Sequence, residues 1–194
     1  MITVSTSSET NRTYHHGDLR SALVEAGLKA LETADPNELS LRQLAREVGV
    51  SATAVYRHFP DKHALLSALA ETGLAKLFEE QSLAAAAAGG GPLGFAATGR
   101  AYVRFAIAHP GLFRLIFSHA ELAGGAELGN NPAGRLLRAN SEALSGGDAA
   151  AAREIQVRAW AIAHGLAMLI LDGHLPADEA LIDATMPSRD PCEI

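Results

Sequence analysis

Only one cysteine, Cys192, occurs in the 194 residues, close to the C-terminal end. Its isolation excludes an internal disulfide framework and a zinc site built on cysteines. The opening run MITVSTSSETNRTYHH lacks an apolar core of signal-peptide length. No stretch approaches the roughly 20 apolar residues that a bilayer crossing needs: the alanine run 84–88 is short and ends in three glycines. Cytoplasmic placement with no membrane contact is expected. Alternating runs of β-branched residues are also missing, so no strand signal competes with the helical periodicity. Excess positive charge is missing too. The formal net charge is −6, which taken alone argues against a non-specific nucleic-acid binder.

What is present is apolar content and helical spacing. Hydrophobic residues make up 48% of the chain, enough for a sizeable core. Residues 1–13 are polar and are expected to form a disordered arm. Leu19, Ala22, Leu23, Ala26 and Ala30 then mark one face of a first helix, which stops at Asp35-Pro36-Asn37. Ser40 can cap a second helix whose apolar stripe is Leu41, Leu44, Ala45 and Val48, and Gly49 stands where that helix must end. Ser51 can cap a third helix of about two turns. Phe59-Pro60-Asp61 breaks it, and Asp61 opens a long fourth helix through Leu65, Leu66, Leu69, Leu74 and Leu77. After Gly89-Gly90-Gly91-Pro92, helical patterns run over 95–108, 112–117, 135–144, from 146–148 to about 172, and over 177–184, with a glycine-rich loop at 121–131. The expected architecture is all-α, with about nine helices. A three-helix helix-turn-helix domain over 14–77 precedes a helical bundle over 78–186 and a tail at 187–194.

The charge is unevenly spread. Residues 63–194 hold 9 Lys/Arg against 14 Asp/Glu, whereas 40–62 hold Arg42, Arg46, Arg57 and Lys62 against Glu47 and Asp61. A small basic face on an acidic molecule suits a protein that touches a few phosphates, and it also suits an ordinary solvated helix face. Ala45, Gly49 and Val55 have the spacing of a helix-turn-helix, a triple that also arises by chance in helical hairpins. Ala45 is small where two helices cross, Gly49 accepts a positive φ in a tight turn, and Val55 plugs the third helix onto its partner.

The run from Val50 to Leu66, the stretch Leu39-Ser40-Leu41-Arg42-Gln43-Leu44-Ala45 and the leader Tyr14-His15-His16-Gly17-Asp18-Leu19-Arg20 resemble the DNA-reading half of the TetR family. Trp160-Ala161-Ile162-Ala163-His164-Gly165-Leu166 resembles the Trp-His-Gly motif in the sensor domain of one of its subgroups. The resemblance implies a role for each matching residue. Arg42 reaches a base edge or phosphate, while Ala52 and Thr53 face the major-groove bases, Ala52 offering a methyl to thymine. Tyr56 donates its hydroxyl to a phosphate, Arg57 and His58 lie at the groove edge, and Lys62 holds a phosphate as a point charge. Ser40 and the amides behind it suit phosphate at a helix N-terminus. Arg12, in the arm, could follow the DNA. Because the third helix has few long polar side chains, shape readout has room to contribute. Phe59 is expected in the core.

The resemblance further implies a homodimer joined through the last two helices, a palindromic double-stranded operator, and a small-molecule effector that relieves repression, with activation left open. The helix from 149 to 172 is apolar on several sides, which fits burial within the domain or against a partner. Phe105, His109, Phe113, Phe117, Trp160 and Met168 are the candidate effector-pocket residues, although core packing is the commoner fate of such side chains. Trp160 and His164, at i and i+4, have the spacing of a ligand pair, but packing with a satisfied imidazole is the favoured reading. No cofactor and no metal is expected. An enzyme is the weaker alternative, because the eight histidines lack ligand spacing such as HExxH and neither G-x-S-x-G nor a phosphate-cradling glycine loop occurs. A helical protein-interaction module is the other rival. It explains buried helices but not the ordered set Arg42, Thr53, Tyr56 and Lys62.

Overall fold

The computed structural model describes residues 16–118 and 131–186. The arm 1–13 with Arg12, the leader residues Tyr14 and His15, the glycine-rich segment up to residue 130, and the tail with Cys192 lie outside the described residues. Among those described there are nine α-helices and no strand.

Helix α1 (His16–Ala30) buries Leu19, Leu23 and Val24. The Asp35-Pro36-Asn37 stop has a structure of its own. The Asp35 carboxylate accepts the Asn37 N–H at 2.8 Å, Pro36 supplies a pre-set φ, and Pro36–Glu38 winds into one 3-10 turn. Helix α2 (Leu41–Val48) ends in a Schellman motif. Gly49 sits at φ 77°, Val50 N–H donates to the Ala45 carbonyl at 2.9 Å, and Gly49 N–H donates to Arg46 at 3.2 Å. Helix α3 (Ala52–Tyr56) is capped by Ser51, whose hydroxyl accepts the Ala54 N–H at 3.2 Å. Ala45 and Val55 are 2% and 0% exposed and belong to one core, so the small residue of α2 and the plug of α3 are both buried, as the spacing requires.

Asp61 caps α4 (Lys62–Ala87), accepting the Ala64 N–H at 2.8 Å. At 1.5 Å per residue this helix is about 39 Å long and belongs to both halves of the molecule. The expected boundary near residue 77 therefore falls inside an unbroken helix. Three left-handed glycines, Gly89, Gly90 and Gly91, reverse the chain, and α5 (Gly91–Ala108) starts four residues before the apolar pattern does. The pattern missed that turn because Pro92 and Leu93 face solvent. Helix α6 (Pro110–Ser118) crosses α4 at Gly73, where a Cβ would come within 2.8 Å of Leu112 Cδ1. Helix α7 (Pro132–Leu144) opens at the Asn131 cap, and α8 (Ala149–Leu171) opens at Asp148, whose carboxylate accepts the Ala150 and Ala151 N–H groups. The last helix, α9 (Glu179–Thr185), lies along α5, held by the Arg104–Glu179 pair at 2.6 Å and by Arg100 Nη1 donating to the Met186 carbonyl at 2.8 Å.

One continuous apolar core joins the two halves, from Leu23, Leu44, Val55 and Leu65 to Phe105, Phe113, Ile116 and Ala167. Helix α8 departs from the expectation that no segment is apolar enough to cross a bilayer. It is long and apolar enough by composition, and 33% of that stretch is buried within the chain. Its solvent side carries Val157 and Leu169, 43% and 44% exposed, with Ala161 and Gly165 between them at i+4 steps.

Candidate nucleic-acid interface and sensor cleft

The short helix α3 is displayed rather than buried. Thr53, Tyr56 and Arg57 face solvent, with Ala52 and His58 half-buried at its two ends. Tyr56 is 42% exposed and Phe59, three residues on, is 1% exposed beneath the Arg20 guanidinium at 5.3 Å. Tyr56 is the last residue of α3 and the chain turns before Phe59, so the two rings part and Phe59 anchors the segment that Tyr56 decorates. On α2, Arg42 is exposed, and the Ser40 hydroxyl makes no capping bond to the helix. Lys62 is half-buried, and its ammonium donates to the Asn37 carbonyl at 2.5 Å. Sequence reading missed that bond because 25 residues separate the partners. An ammonium has three protons, so two remain for a phosphate. None of the eight candidate DNA-contact residues is in the core.

A cleft of about 290 Å³ opens beneath this domain. The Asp35, Pro36 and Asn37 turn forms one wall, Phe113, Arg114 and Phe117 of α6 a second, and His164 and Met168 of α8 a third. Phe113, Phe117 and Met168 were among the candidate pocket residues. Phe105, His109 and Trp160 do not line this cleft. Phe105 is fully buried with its ring 5.1 Å from that of His109, and Trp160 packs behind His164 at 5.5 Å. The residues that sequence reading did not find are Arg114, the 35–37 turn and Tyr102. Arg114 reaches Asp172 at 2.6 Å. Tyr102 Oη lies 2.8 Å from His164 Nδ1, and its ring meets Phe113 edge-on at 5.4 Å.

Burial pushes the Tyr102 phenol far above its ordinary range. Burial also holds the His164 imidazole below its ordinary value of 6.5. The unfolded chain therefore takes up this proton first as the pH falls, so the histidine's contribution to stability is intact above about pH 6.5 and is lost as the pH drops through that value toward the depressed folded one. Thermal melts between about pH 7.5 and 5 check this. Wild type is expected to lose more Tm over that interval than His164→Gln, and equal losses would refute it.

The seam between the halves is tight. A Cβ on Gly111, in the first turn of α6, would overlap the Leu31 carbonyl oxygen at the end of α1 and lie 3.2 Å from that of Ala34. Backbone cannot swing aside as a side chain can. Gly111→Ala is therefore expected to cost about 1–3 kcal/mol, seen as a Tm several degrees lower in a calorimetric scan. An unchanged Tm would mean that the seam yields freely.

Among the described residues no group of three or more His, Cys, Asp and Glu side chains is placed to hold a metal ion. Two family models match the chain: "Bacterial regulatory proteins, tetR family" over residues 23–69, and "Tetracyclin repressor-like, C-terminal domain" over residues 95–186. No curated protein matches the sequence. Among solved structures, a protein of unknown function from Rhodococcus sp. RHA1 is 36% identical, with a TM-score of 0.74 over 91% of this chain and 93% of that one. A tetR-family transcriptional regulator from Streptomyces coelicolor shares the fold at 20% identity, with a TM-score of 0.54 over 86% of this chain and 76% of that one. A displayed short helix behind a glycine turn, a helical domain fused to it through α4, and both family matches in the same order lead to one conclusion: the chain belongs to the tetR family of bacterial regulatory proteins and is a DNA-binding transcriptional regulator.

Proposed function

We propose that the protein represses transcription as a homodimer on a palindromic operator and leaves it when a small molecule occupies the cleft. The observation that carries this reading is the position of the 35–37 turn. One side of it walls the cleft, and its Asn37 carbonyl is held by Lys62 at the head of α4. A molecule that prefers the cleft with this turn displaced shifts Lys62 and α4, and so weakens DNA binding by the factor by which DNA weakens its own binding. Arg42, Ala52, Thr53, Tyr56, Arg57 and His58 would meet the groove and its edges, with Ser40 and Lys62 on phosphates.

The exposed apolar stripe of α8 supports the dimer. Val157, Ala161, Gly165 and Leu169 lie on one line, and nothing within 4 Å would meet a Cβ on Gly165, which leaves room for close approach of a second helix. The apolar composition of α8 then reflects burial on one side in its own chain and on the other against its copy, without a membrane. A two-fold dimer presents its two recognition helices about 34–36 Å apart. A regulator of this kind works beside the DNA, in the cytoplasm, and nothing in this reading requires catalysis or a cofactor.

Selection of bound duplexes from random DNA, followed by gel shifts against salt, tests the proposal. An inverted repeat is expected, and Lys62→Ala should lower the log–log salt slope by about one. Enrichment of a single asymmetric half-site would overturn the dimer, and no enrichment at all would favour a protein-interaction module.

A further inference from the structure

The cleft has one polar feature whose direction can be worked out from donor counts. Tyr102 is 5% exposed, and among the described residues its hydroxyl has one hydrogen-bond partner, His164 Nδ1 at 2.8 Å. A buried phenol proton needs an acceptor, and Nδ1 is the one that the fold provides. Nδ1 is then the acceptor nitrogen of a neutral imidazole, and the ring proton must sit on Nε2. His164 is half-buried and lines the cleft, and no hydrogen bond to its Nε2 is formed among the described residues. Phe113 stacks on the ring at 5.7 Å and Phe117 meets it edge-on at 5.1 Å, so the imidazole is held by rings as well as by the phenol.

We infer that Tyr102 and His164 form a directional pair that presents the Nε2 proton of His164 to the cleft, and that the effector is an uncharged, largely apolar molecule carrying one acceptor oxygen, a ketone, ester or amide carbonyl, seated on that proton. This rests on the ligand-responsive reading above and names the ligand class for it. The walls favour a neutral ligand. The Arg114 guanidinium is already paired with Asp172 at 2.6 Å, and the Asp35 carboxylate stands on the opposite wall, so an anion would gain little and meet repulsion. Phe113, Phe117 and Met168 supply apolar and polarizable contact for the rest of the molecule.

The test uses full-length protein with 15N-labelled histidine. Long-range 1H–15N correlation reads the tautomer directly, and His164 is expected as the Nε2–H form, giving way to a mixture in Tyr102→Phe. Two isosteric probes then separate the acceptor from the shape: 2-acetylnaphthalene, which has the carbonyl, and 2-isopropenylnaphthalene, which has a methylene in its place. Binding is followed through the fluorescence of Trp160, the chain's single tryptophan. The ketone is expected to bind about tenfold tighter or better, and His164→Phe should bring the ratio near one. An Nδ1–H tautomer in wild type, equal affinities for the two probes, or no saturable binding of either would overturn the inference. Because the wild-type tautomer needs no variant, a poorly folded mutant does not decide the question. Binding of the selected palindrome by the ligand-free protein is measured alongside. Its failure would sink the regulator reading, whereas the tautomer and the probe ratio bear on this inference alone.

Discussion

Arginine placed at both Val157 and Leu169 is expected to yield a folded monomer that has lost two to four orders of magnitude in operator affinity, a loss of about 10²–10⁴ that follows from making two linked contacts into one. Both side chains are more than two-fifths exposed in the isolated chain, at 43% and 44%, so folding needs neither of them. Exposed substitutions of this kind change stability by about 0.5 kcal/mol or less. In a two-fold pairing of α8 with its copy, the same four arginines per dimer would be buried against one another and against apolar surface, which is strongly unfavourable for unpaired charges. Light scattering at micromolar concentration reads the assembly state, circular dichroism the fold, and gel shifts the affinity. A variant that stays dimeric and keeps its operator affinity would place the interface elsewhere.

The second large effect separates two aromatic residues three positions apart. Phe59→Ala is expected to destabilise the protein by about 3–5 kcal/mol, the cost of removing a buried ring and leaving its cavity. Phe59 is 1% exposed and packs in the same core as Leu23, Leu44 and Val55, so α1, α2 and α3 all lose their common support. Against a total of about 5–15 kcal/mol this leaves the DNA-reading half marginal, and DNA binding falls with folding. Tyr56→Ala should do the opposite. With its ring 42% exposed, it is expected to melt within a degree or two of wild type while binding the operator about tenfold or more weakly through loss of a charged hydrogen bond to phosphate. Paired melting and gel-shift measurements check both. If Tyr56→Ala lowered Tm as Phe59→Ala does, the ring would be core and the interface would have to be drawn without it.

The separation of those two rings was legible beforehand, because the apolar stripe claimed Phe59 for the core while Arg57, His58 and Lys62 stand beside Tyr56. The same holds for the turn between α2 and α3 and for the caps Ser51, Asp61 and Asp148, each of which is made by a side chain and an amide two or three residues away. The start of α5 was less legible. Its first turn from Gly91 is exposed and carries no apolar stripe, so periodicity begins only at Phe95, the first large side chain to enter the core. Of the candidate pocket residues, Phe113, Phe117 and Met168 do line the cleft, whereas Phe105 is sealed inside, because composition alone does not say which side of a buried helix borders a void.

Taken by itself, the order of residues determined the helices, their caps, the glycine turn and the solvent-facing set on α3, since these depend on interactions that reach no further than about four positions. The tertiary structure alone decided that Lys62 holds Asn37, that Gly111 lies against the end of α1, and that Tyr102 meets His164 across 62 residues. Those contacts come from how whole helices pack, a choice made by the summed burial of many side chains, to which any one pair contributes only a small part.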